Sequence, residues 1–214
     1  MKKIFLDCGA NIGQSVDAWY LCNEDAKEYE IYSFEPSKRL INVLRQNLKK
    51  YDNVTVVNKV VWSHNEGVRF EDCGNESSST ESDKMSGGAT TWNSPKFSSV
   101  DLAAFIKDKF GPEDKIVLKV DIEGGEYHLI PHLIQTGAIS YIDEIYMEIH
   151  AAKLSTKTID DDFRLIESIR AQNLKPMLWT ASWALKHGSY NVEKRELTKD
   201  FAIALWKKKG RYKG

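Results

Sequence analysis

Residues 5–13 read F-L-D-C-G-A-N-I-G, an apolar run that ends at an acidic residue and continues into a turn with two glycines. Gly9 lets the chain leave a strand sharply, while Gly13 allows close packing of a helix or close approach of a ligand. The glycines are four residues apart, which differs from the G-x-G-x-x-G spacing of a dinucleotide site. We therefore predict a strand over residues 3–7, a ligand-binding turn, and a helix over residues 12–22.

The same alternation of strand and helix patterns continues along the chain. Short strands that alternate with helices predict a doubly wound, Rossmann-like α/β fold whose mostly parallel sheet is covered on both faces. No convincing helix separates the last two predicted strands, so we expect the final strand to run antiparallel. Val68–Phe70 is expected to turn back beside the third strand. The further strands are predicted at 31–36, 54–62, 115–121, 142–150, 174–179 and 201–206, and the further helices at 37–48, 100–110, 126–134 and 159–173.

Size and charge limit the classes of protein that fit. The chain has 214 residues, with 30 Lys and Arg against 31 Asp and Glu, which fits one domain over residues 1–214 and gives no overall attraction to nucleic acid or anionic membranes. Three cysteines without a C-x-x-C pair favour neither a metal site nor a disulfide framework, and Cys8 is expected to pack in the core. The first apolar run stops at Asp7 and no 18-residue apolar segment occurs, so a cytoplasmic protein is expected.

Residues 72–95 differ in character from the rest of the chain, because they are polar, small and rich in glycine. Such a composition buries little apolar area, and a loop of this length in a compact domain is usually functional or disordered. Both interpretations stay open here, although Met85 and Trp92 favour a substrate lid slightly.

Acidic residues mark the ends of the predicted strands. In an open α/β sheet, ligands bind outside the carboxyl ends of the strands, and four of the five residue groups at these ends are acidic. The first turn has no lysine or arginine and the chain has no G-x-x-x-x-G-K-[ST] phosphate loop, so a cationic ligand is favoured over a polyphosphate. Glu35 follows Gly13 by 22 residues at the end of the second strand, where a carboxylate can bind both hydroxyls of a ribose.

Residues 118–127, L-K-V-D-I-E-G-G-E-Y, place three carboxylates at the end of a buried strand. We expect Asp121 to point into the crevice and Asp121 and Glu123 to be functional. Glu126 is interpreted as an ordinary residue of the first helical turn.

A glutamate and a histidine lie at the end of the next predicted strand, 142–150. Alternation places Glu148 and His150 on one face of it. His150 is a candidate general base, but Glu148 and His150 can equally hold a divalent ion together with Asp121, or simply end the strand.

With these segments in order, residues 3–150 resemble S-adenosylmethionine-dependent class I methyltransferases, and more closely the FkbM family. The segments that carry the resemblance are F-L-D-C-G-A-N-I-G-Q-S, Y-S-F-E-P-S, N-K-V-V-W-S-H-N-E-G, S-S-V-D-L-A-A-F-I, V-L-K-V-D-I-E-G-G-E and Y-M-E-I-H. Val60, Val61 and Trp62 depart from the smaller residues common there. For 72–95 and the chain after 150, the resemblance implies no residue roles, so it does not define how the acceptor is recognised.

The resemblance implies a seven-stranded sheet with an antiparallel last strand and a set of cofactor-binding residues. Asp7, Gly9, Ala10, Asn11 and Gly13 are expected to surround the methionine part of S-adenosylmethionine. Glu35 and Pro36 are expected at the ribose, Asn58 and Val60 at the adenine, and Asp121 and Glu123 at the transferred methyl group or the acceptor.

The expected activity is transfer of a methyl group from S-adenosylmethionine to a hydroxyl oxygen of a small-molecule or carbohydrate acceptor, with Asp121 or His150 as the base and Glu123 or Glu148 orienting it. One alternative is a metal-assisted O-methyltransferase in which Asp121, Glu148 and His150 hold Mg²⁺. Another is a nucleotide-binding module without catalysis. A nicotinamide-dependent oxidoreductase is disfavoured by the glycine spacing, and amine or peptide acceptors stay open.

Overall fold

The structure is a computed structural model, and it describes residues 1–75, 77–179 and 195–212. The strands are β1 (Lys3–Cys8), β2 (Tyr29–Phe34), β3 (Val54–Val57), β4 (Val60–Trp62), β5 (Val68–Arg69), β6 (Lys96–Phe97), β7 (Ser99–Asp101), β8 (Lys115–Val120), β9 (Ile142–Met147) and β10 (Pro176–Leu178). The helices are α1 (Gln14–Cys22), α2 (Ile41–Leu48), α3 (Leu102–Lys109), α4 (Glu126–Gln135), α5 (Ile159–Arg170) and α6 (Lys199–Lys208).

A six-stranded parallel sheet forms the centre of the molecule, in the order β10-β9-β8-β1-β2-β3. The chain builds outward from β1 through β2 to β3, then returns to the other side of β1 and continues outward through β8, β9 and β10. The strand order therefore reverses at β1, and a crevice opens at the carboxyl ends of β1 and β8. This confirms the predicted Rossmann-like α/β fold.

Helices cover both faces of the sheet, because the side chains of its strands alternate between two apolar layers. Ile4 and Leu6 of β1 point into one layer with residues of α3, α4 and α5, whereas Phe5 points into the other. There Phe5 stacks on Trp19 of α1 with ring centroids 4.4 Å apart. Cys8 is fully buried, as expected of a packing residue.

The predicted third strand over 54–62 is wrong as a single element, because the chain breaks at Asn58 and Lys59. Asn58 donates from Nδ2 to the carbonyl oxygens of Glu35 and Pro36, which ends β3 and redirects the chain. After the break, β4 pairs with β7 in a separate small sheet. The Val68 segment likewise pairs antiparallel with Lys96–Phe97 rather than beside the third strand.

The predicted strand over 201–206 is also wrong, because these residues lie in α6. The Thr198 hydroxyl accepts a hydrogen bond from Phe201 N (3.2 Å) and caps the helix, while Ala202 and Trp206 are buried four residues apart on one face. A short apolar run fits a strand and a buried helix equally well, so its sequence alone did not separate them.

The described part of the chain still contains an antiparallel partner for β10, at different residues. Leu178 N donates to Arg195 O and Leu197 N donates to Pro176 O, both at 2.7 Å, around an antiparallel bridge between Met177 and Glu196. Residues 180–194, which the predicted connection included, lie outside the described residues. Among the described helices, none combines the length and the apolar character that crossing a membrane requires.

Candidate active site

A cavity of about 740 Å³ opens at the carboxyl ends of the central strands. Besides the turns that follow these strands, β4, the 72–95 segment and α6 contribute to its walls. Asp7, Gly13, Asn58 and His150 are not among the residues that form its surface. The predicted site residues that do line it are Gly9, Ala10, Asn11, Glu35, Pro36, Val60, Asp121, Glu123 and Glu148.

The glycine turn after β1 is shaped by contacts with its neighbours. Gly9 has φ +86°, and a Cβ there would lie 1.8 Å from the carbonyl oxygen of Asp121. Gly9 is therefore required where the turns after β1 and β8 touch. Gly13, with φ +97°, lies against Leu48 and Leu44 of α2, so it serves helix packing rather than the cavity surface.

Glu35 joins the first turn to the second. Its Oε2 accepts from Asn11 N and its Oε1 accepts from Ser37 N, both at 2.8 Å. The residue is only 6% exposed, and this burial raises the pKa of its carboxyl to about 7, against the opposing effect of the two backbone donors. The two hydrogen bonds fix the carboxylate at the cavity edge, with further lone pairs on each oxygen.

Lys119 lies beneath the glycine turn, and the sequence interpretation missed it. Its Nζ donates to Gly9 O (2.7 Å) and lies 3.3 Å from Asp7 Oδ1 and 3.5 Å from Asp121 Oδ2. Burial alone would lower the pKa of this lysine, but the carboxylates of Asp7 and Asp121 raise it. Asp7 thus balances a buried cation behind the turn. A lysine inside an otherwise apolar strand was the signal that could have revealed this pair.

Asp121 and Glu148 are the carboxylates at the ends of β8 and β9 that line the cavity. The Asp121 side chain is 22% exposed, and burial raises the pKa of its carboxyl to about 6, although nearby Lys119 opposes this. The Glu148 side chain is 50% exposed, and its pKa lies below the ordinary value because its interactions with His150 outweigh the effect of burial. Both groups are carboxylates at neutral pH.

His150 lies at the centre of a ring of carboxylates and is 1% exposed. Its Nδ1 is 2.6 Å from Glu126 Oε1, and its Nε2 is 3.4 Å from Glu123, 3.6 Å from Glu148 and 3.8 Å from Asp121. Burial would lower the pKa of His150, but Glu126 and Glu123 raise it well above the ordinary value. A protonated imidazole donates from both nitrogens, so this geometry favours an orienting cation over a proton acceptor.

Glu126 is not the ordinary first-turn residue that was predicted. It is fully buried, and besides its contact with His150 it accepts from Ile122 N (3.2 Å) and Gly124 N (2.9 Å). It therefore ties the loop after β8 to His150 after β9. In the sequence nothing separates it from a glutamate that only begins a helix, because its partner lies 24 residues away.

Glu123, one of the two residues expected to orient the base, is held by two lysines. Both of its carboxylate oxygens lie 2.9 Å from Lys153 Nζ, and Oε2 also lies 2.9 Å from Lys84 Nζ. Burial would raise its pKa, but His150 and the two lysines lower it. Lys153, Lys208 and Lys209 also line the cavity, so the expectation of a site poor in cations is wrong away from the glycine turn.

The possible metal ligands differ from the predicted set. Among the described residues, Asp121, Glu123 and His150 form the group whose ligand atoms all lie within 4.8 Å of one another, with Glu123 in the place predicted for Glu148. His150 Nε2 is buried there without a hydrogen-bond partner in the described part of the chain. The two lysines on Glu123 already supply positive charge beside this group.

Residues 72–75 and 77–95, here called the strap, fold over the site. They have little regular structure, but Ser79, Lys84, Thr90 and Ser94 are buried. Met85 and Trp92, which favoured a lid, are exposed, Trp92 by 83%. The strap is thus held by buried polar contacts rather than by its apolar side chains, and its Asn75, Ser78 and Thr80 line the cavity.

Comparisons with known proteins show the family. One similar solved structure is yeast methylglyoxal/isovaleraldehyde reductase Gre2 complexed with NADPH, at 9% sequence identity and a TM-score of 0.41, over 82% of this chain and 56% of that one. No curated protein matches the sequence. The family model of the methyltransferase FkbM domain matches residues 7–173, well over half of the chain and the whole set of predicted site residues. The chain therefore belongs to the FkbM methyltransferase family.

Proposed function

We propose that this protein transfers a methyl group from S-adenosylmethionine to a hydroxyl oxygen of a small-molecule or carbohydrate acceptor. The observation that carries the proposal is the cavity where the strand order reverses, with Glu35 at one turn and Asp121 and Glu148 at the others. Ligands of open α/β sheets bind at this position, and the chain is a member of a methyltransferase family.

The residues around the cavity fit the methyl donor. Asp121 and Glu148 complement the positive charge of a sulfonium. The backbone of Gly9, Ala10 and Asn11 would surround the methionine part. Glu35 would accept hydrogen bonds from the ribose hydroxyls, with Pro36 and Val60 beside the adenosine. Asp7, Gly13 and Asn58 would support this arrangement from outside the cavity surface, through the contacts described above.

S-adenosylmethionine supplies an electrophilic methyl group, and a hydroxyl acceptor must lose its proton as it attacks. We assign Asp121 as the base, because it lines the cavity and its pKa near 6 leaves it ionised at neutral pH. His150 then acts as a positioning residue, since its cationic ring faces Asp121 and Glu148 from behind the cavity surface. Alignment of the acceptor with the methyl group supplies much of the acceleration.

A metal-assisted reaction is the second candidate, and the buried, unpartnered Nε2 of His150 beside Asp121 and Glu123 is the observation that favours it. In that case a divalent ion would bind these three residues and polarise the acceptor hydroxyl. The decisive measurement is calorimetry with Mg²⁺ and Mn²⁺ together with activity after exhaustive chelation. Full activity in a chelated protein that binds neither ion would dismiss this candidate.

The first test of the proposed function is calorimetry with S-adenosylhomocysteine, followed by transfer of labelled methyl to a panel of polyhydroxylated acceptors. At pH 8, where Glu35 with its pKa of about 7 is ionised, we expect saturable binding that weakens about tenfold or more in Glu35→Gln, because the neutral amide loses charge-assisted hydrogen bonds to the ribose. The exposed Glu24 provides a matched control, and Glu24→Gln is expected to bind like the wild type. A wild-type protein that does not bind S-adenosylhomocysteine would contradict the proposal.

A further inference from the structure

Lys84 belongs to the strap, and its charged side chain is buried in the interior of the protein. Its side chain is 0% exposed, and Nζ lies 2.9 Å from Glu123 Oε2 and donates to Ser77 O at 2.7 Å. Lysines are almost never fully buried unless they are paired, because an isolated buried charge is strongly unfavourable. The Lys84–Glu123 pair therefore joins the strap to the loop after β8 at a defined point.

Further contacts fix the strap at both loops that carry the carboxylates. Ser79 Oγ donates to Glu123 O at 2.8 Å, and Met85 N donates to Lys153 O at 2.8 Å. At Gly124, a Cβ would lie only 2.6 Å from Glu81 Cγ, so the strap packs directly on the glycine of the loop. The strap is thus joined to the loops after β8 and β9 through side chains and backbone.

The cavity surface of the strap is polar and lies outside the predicted cofactor segments. Asn75, Ser78 and Thr80 present an amide and two hydroxyls there. The residues proposed to bind the cofactor come instead from the turns after β1, β2, β8 and β9 and from β4. Ser78 Oγ donates to Asn75 O and Thr80 Oγ1 donates to Glu81 Oε1 within the strap. The Asn75 amide NH2 and the remaining lone pairs of the two hydroxyls are therefore the groups that the strap offers the other reactant.

We propose that the strap is the acceptor-specificity element of this active site, and that Lys84 is the positioning residue that couples it to the carboxylate cluster through Glu123. This inference rests on the proposed function and names the part of the chain that binds the acceptor. Asn75, Ser78 and Thr80 contact acceptor hydroxyls. Lys84 holds Glu123, whose Oε1 in turn faces His150 Nε2 at 3.4 Å.

Loss of the Lys84 charge should impair the reaction with the acceptor without affecting the cofactor. In Lys84→Met, kcat/KM for the acceptor is expected to fall about 100-fold, the effect of a misplacement of about 1 Å. Affinity for S-adenosylhomocysteine should stay within about twofold, because Lys84 pairs with Glu123 and donates to Ser77 O, and neither residue lies in the turns after β1 and β2. Lys84→Arg, which keeps the charge, should recover part of the loss. Lys27→Met, at an exposed lysine, is the matched control and should behave like the wild type.

The pH profile distinguishes positioning from a general structural role. Without Lys84, the negative charge of Glu123 is less compensated and should raise the pKa of the neighbouring base Asp121. The acidic limb of kcat should therefore move upward in Lys84→Met and return in Lys84→Arg. The charged groups that face Glu123 or its neighbours in this cluster are Lys84, Lys153, His150, Asp121, Glu148, Glu126 and Glu81.

Two further variants test the strap if Lys84→Met does not fold. Ser79→Ala removes a single contact to Glu123 and should move kcat/KM for the acceptor in the same direction. Thr80→Val, at the cavity surface, should raise the acceptor KM severalfold while kcat stays within about twofold, as expected for lost binding of an acceptor hydroxyl.

The results separate this inference from the proposed function. Unchanged kcat/KM and pH profile in Lys84→Met and Ser79→Ala, with intact S-adenosylhomocysteine binding, would overturn the role of the strap alone. A parallel loss of cofactor affinity, acceptor kinetics and thermal stability in both variants would also overturn it, in favour of general stabilisation. A wild-type protein that binds no S-adenosylhomocysteine would instead contradict the proposed function.

Discussion

Asp121 and His150 lie in one cluster of charged side chains, but they differ in exposure. This difference determines which of them can reach a bound acceptor. Asp121 reaches the cavity surface with a side chain that is 22% exposed, whereas the ring of His150 lies behind that surface and is 1% exposed. A base must come within hydrogen-bond distance of the proton it removes, or reach it through one water molecule. The proposed base is therefore Asp121, and His150 sets its charge environment.

The substitution Asp121→Asn removes the proposed base and keeps the shape of the side chain. We expect kcat to fall about 10² to 10⁴-fold, the usual contribution of general base catalysis, with S-adenosylhomocysteine affinity changed only a few-fold. In the wild type, activity should rise with pH through the pKa near 6, because the carboxylate forms as the proton leaves. Steady-state kinetics over pH 5–8 check both points, and wild-type turnover in the variant would remove Asp121 from this role.

A substitution at Gly9 tests whether the close contact between the turns after β1 and β8 is needed for the stability of the fold. In Gly9→Ala, the new Cβ would meet the Asp121 carbonyl at 1.8 Å in a left-handed conformation, so the free energy of unfolding should fall by about 3 kcal/mol or more. Gly137→Ala is the matched control, since φ there is +75° and nothing lies within 4 Å. It should cost about 1 kcal/mol. Equal losses in urea unfolding would show that the contact with Asp121 is unimportant.

At the scale of elements, α6 owes its position to one buried carboxylate. Asp162 of α5 accepts from Trp206 Nε1 at 2.6 Å and from Tyr127 OH at 2.5 Å, which joins α6, α5 and α4. Arg211 beyond the helix also donates to the carbonyl oxygens of Ala151 and Leu154. These contacts set the side of α6 that carries Phe201 and Leu205 against the cavity.

Trp206→Phe keeps an aromatic ring in the core but removes the indole donor to Asp162. We expect the free energy of unfolding to fall by about 2 kcal/mol, because a hydrogen bond to a buried carboxylate is lost. Trp92→Phe, at a side chain that is 83% exposed, should change it by less than about 0.5 kcal/mol. Denaturant titration of both variants measures the difference. A loss no larger than that of the control would mean that the Asp162 hydrogen bond does not anchor α6.

At the scale of the whole molecule, several buried groups bind protons more tightly in the folded protein than in the unfolded chain. Burial raises the carboxyl pKa of Glu35 to about 7 and that of Asp121 to about 6, and the carboxylates around His150 outweigh burial and raise its pKa. Glu123 and Glu148 have lowered pKa values and act in the opposite sense. Burial also raises the carboxyl pKa of Asp162, which adds to the first set. The contribution of these site groups to the pH dependence of stability follows from the two sets.

We expect the free energy of unfolding to be highest at a pH within about one unit of 5. As pH rises from about 4.5 to 7, the folded state retains protons on Glu35 and Asp121 that the unfolded chain releases, so stability falls. The contribution of His150 is complete below about pH 6.5 and is lost as pH rises through its folded pKa. Below about pH 4.5, Glu123 and Glu148 take up protons more readily when unfolded, and stability falls again.

Glu35→Gln isolates one part of this profile. Because a tenfold change in proton affinity corresponds to about 1.4 kcal/mol, a shift of the Glu35 pKa to about 7 accounts for roughly 3 kcal/mol of the decline between pH 4.5 and 7. Urea unfolding at several pH values should show a flatter profile for Glu35→Gln and an unchanged one for the exposed Glu24→Gln. A wild-type stability that rises steadily from pH 5 to 7 would contradict this account.

Local patterns predicted most of the fold and one side of the candidate site. The alternation of apolar runs and helical spacing identified the six parallel strands, because burial in a sheet or against a helix imposes a period on neighbouring residues. The glycine turn, Glu35 and Asp121 were found because strand ends in such sheets meet at one edge. These features depend on residues close together in sequence.

Only the tertiary structure decided the features that depend on distant partners. The run 201–206 is a helix because Thr198 caps it and Asp162 binds Trp206, and neither partner lies within the run. Lys84 contacts Glu123, 39 residues away in sequence, and His150 contacts Glu126, 24 residues away. No local sequence pattern predicts either pair. The sequence by itself therefore determined most of the central strands and the edge of the sheet where a ligand is expected. The packing of those elements decided which charges are buried together, since burial of a charge depends on the whole fold around it.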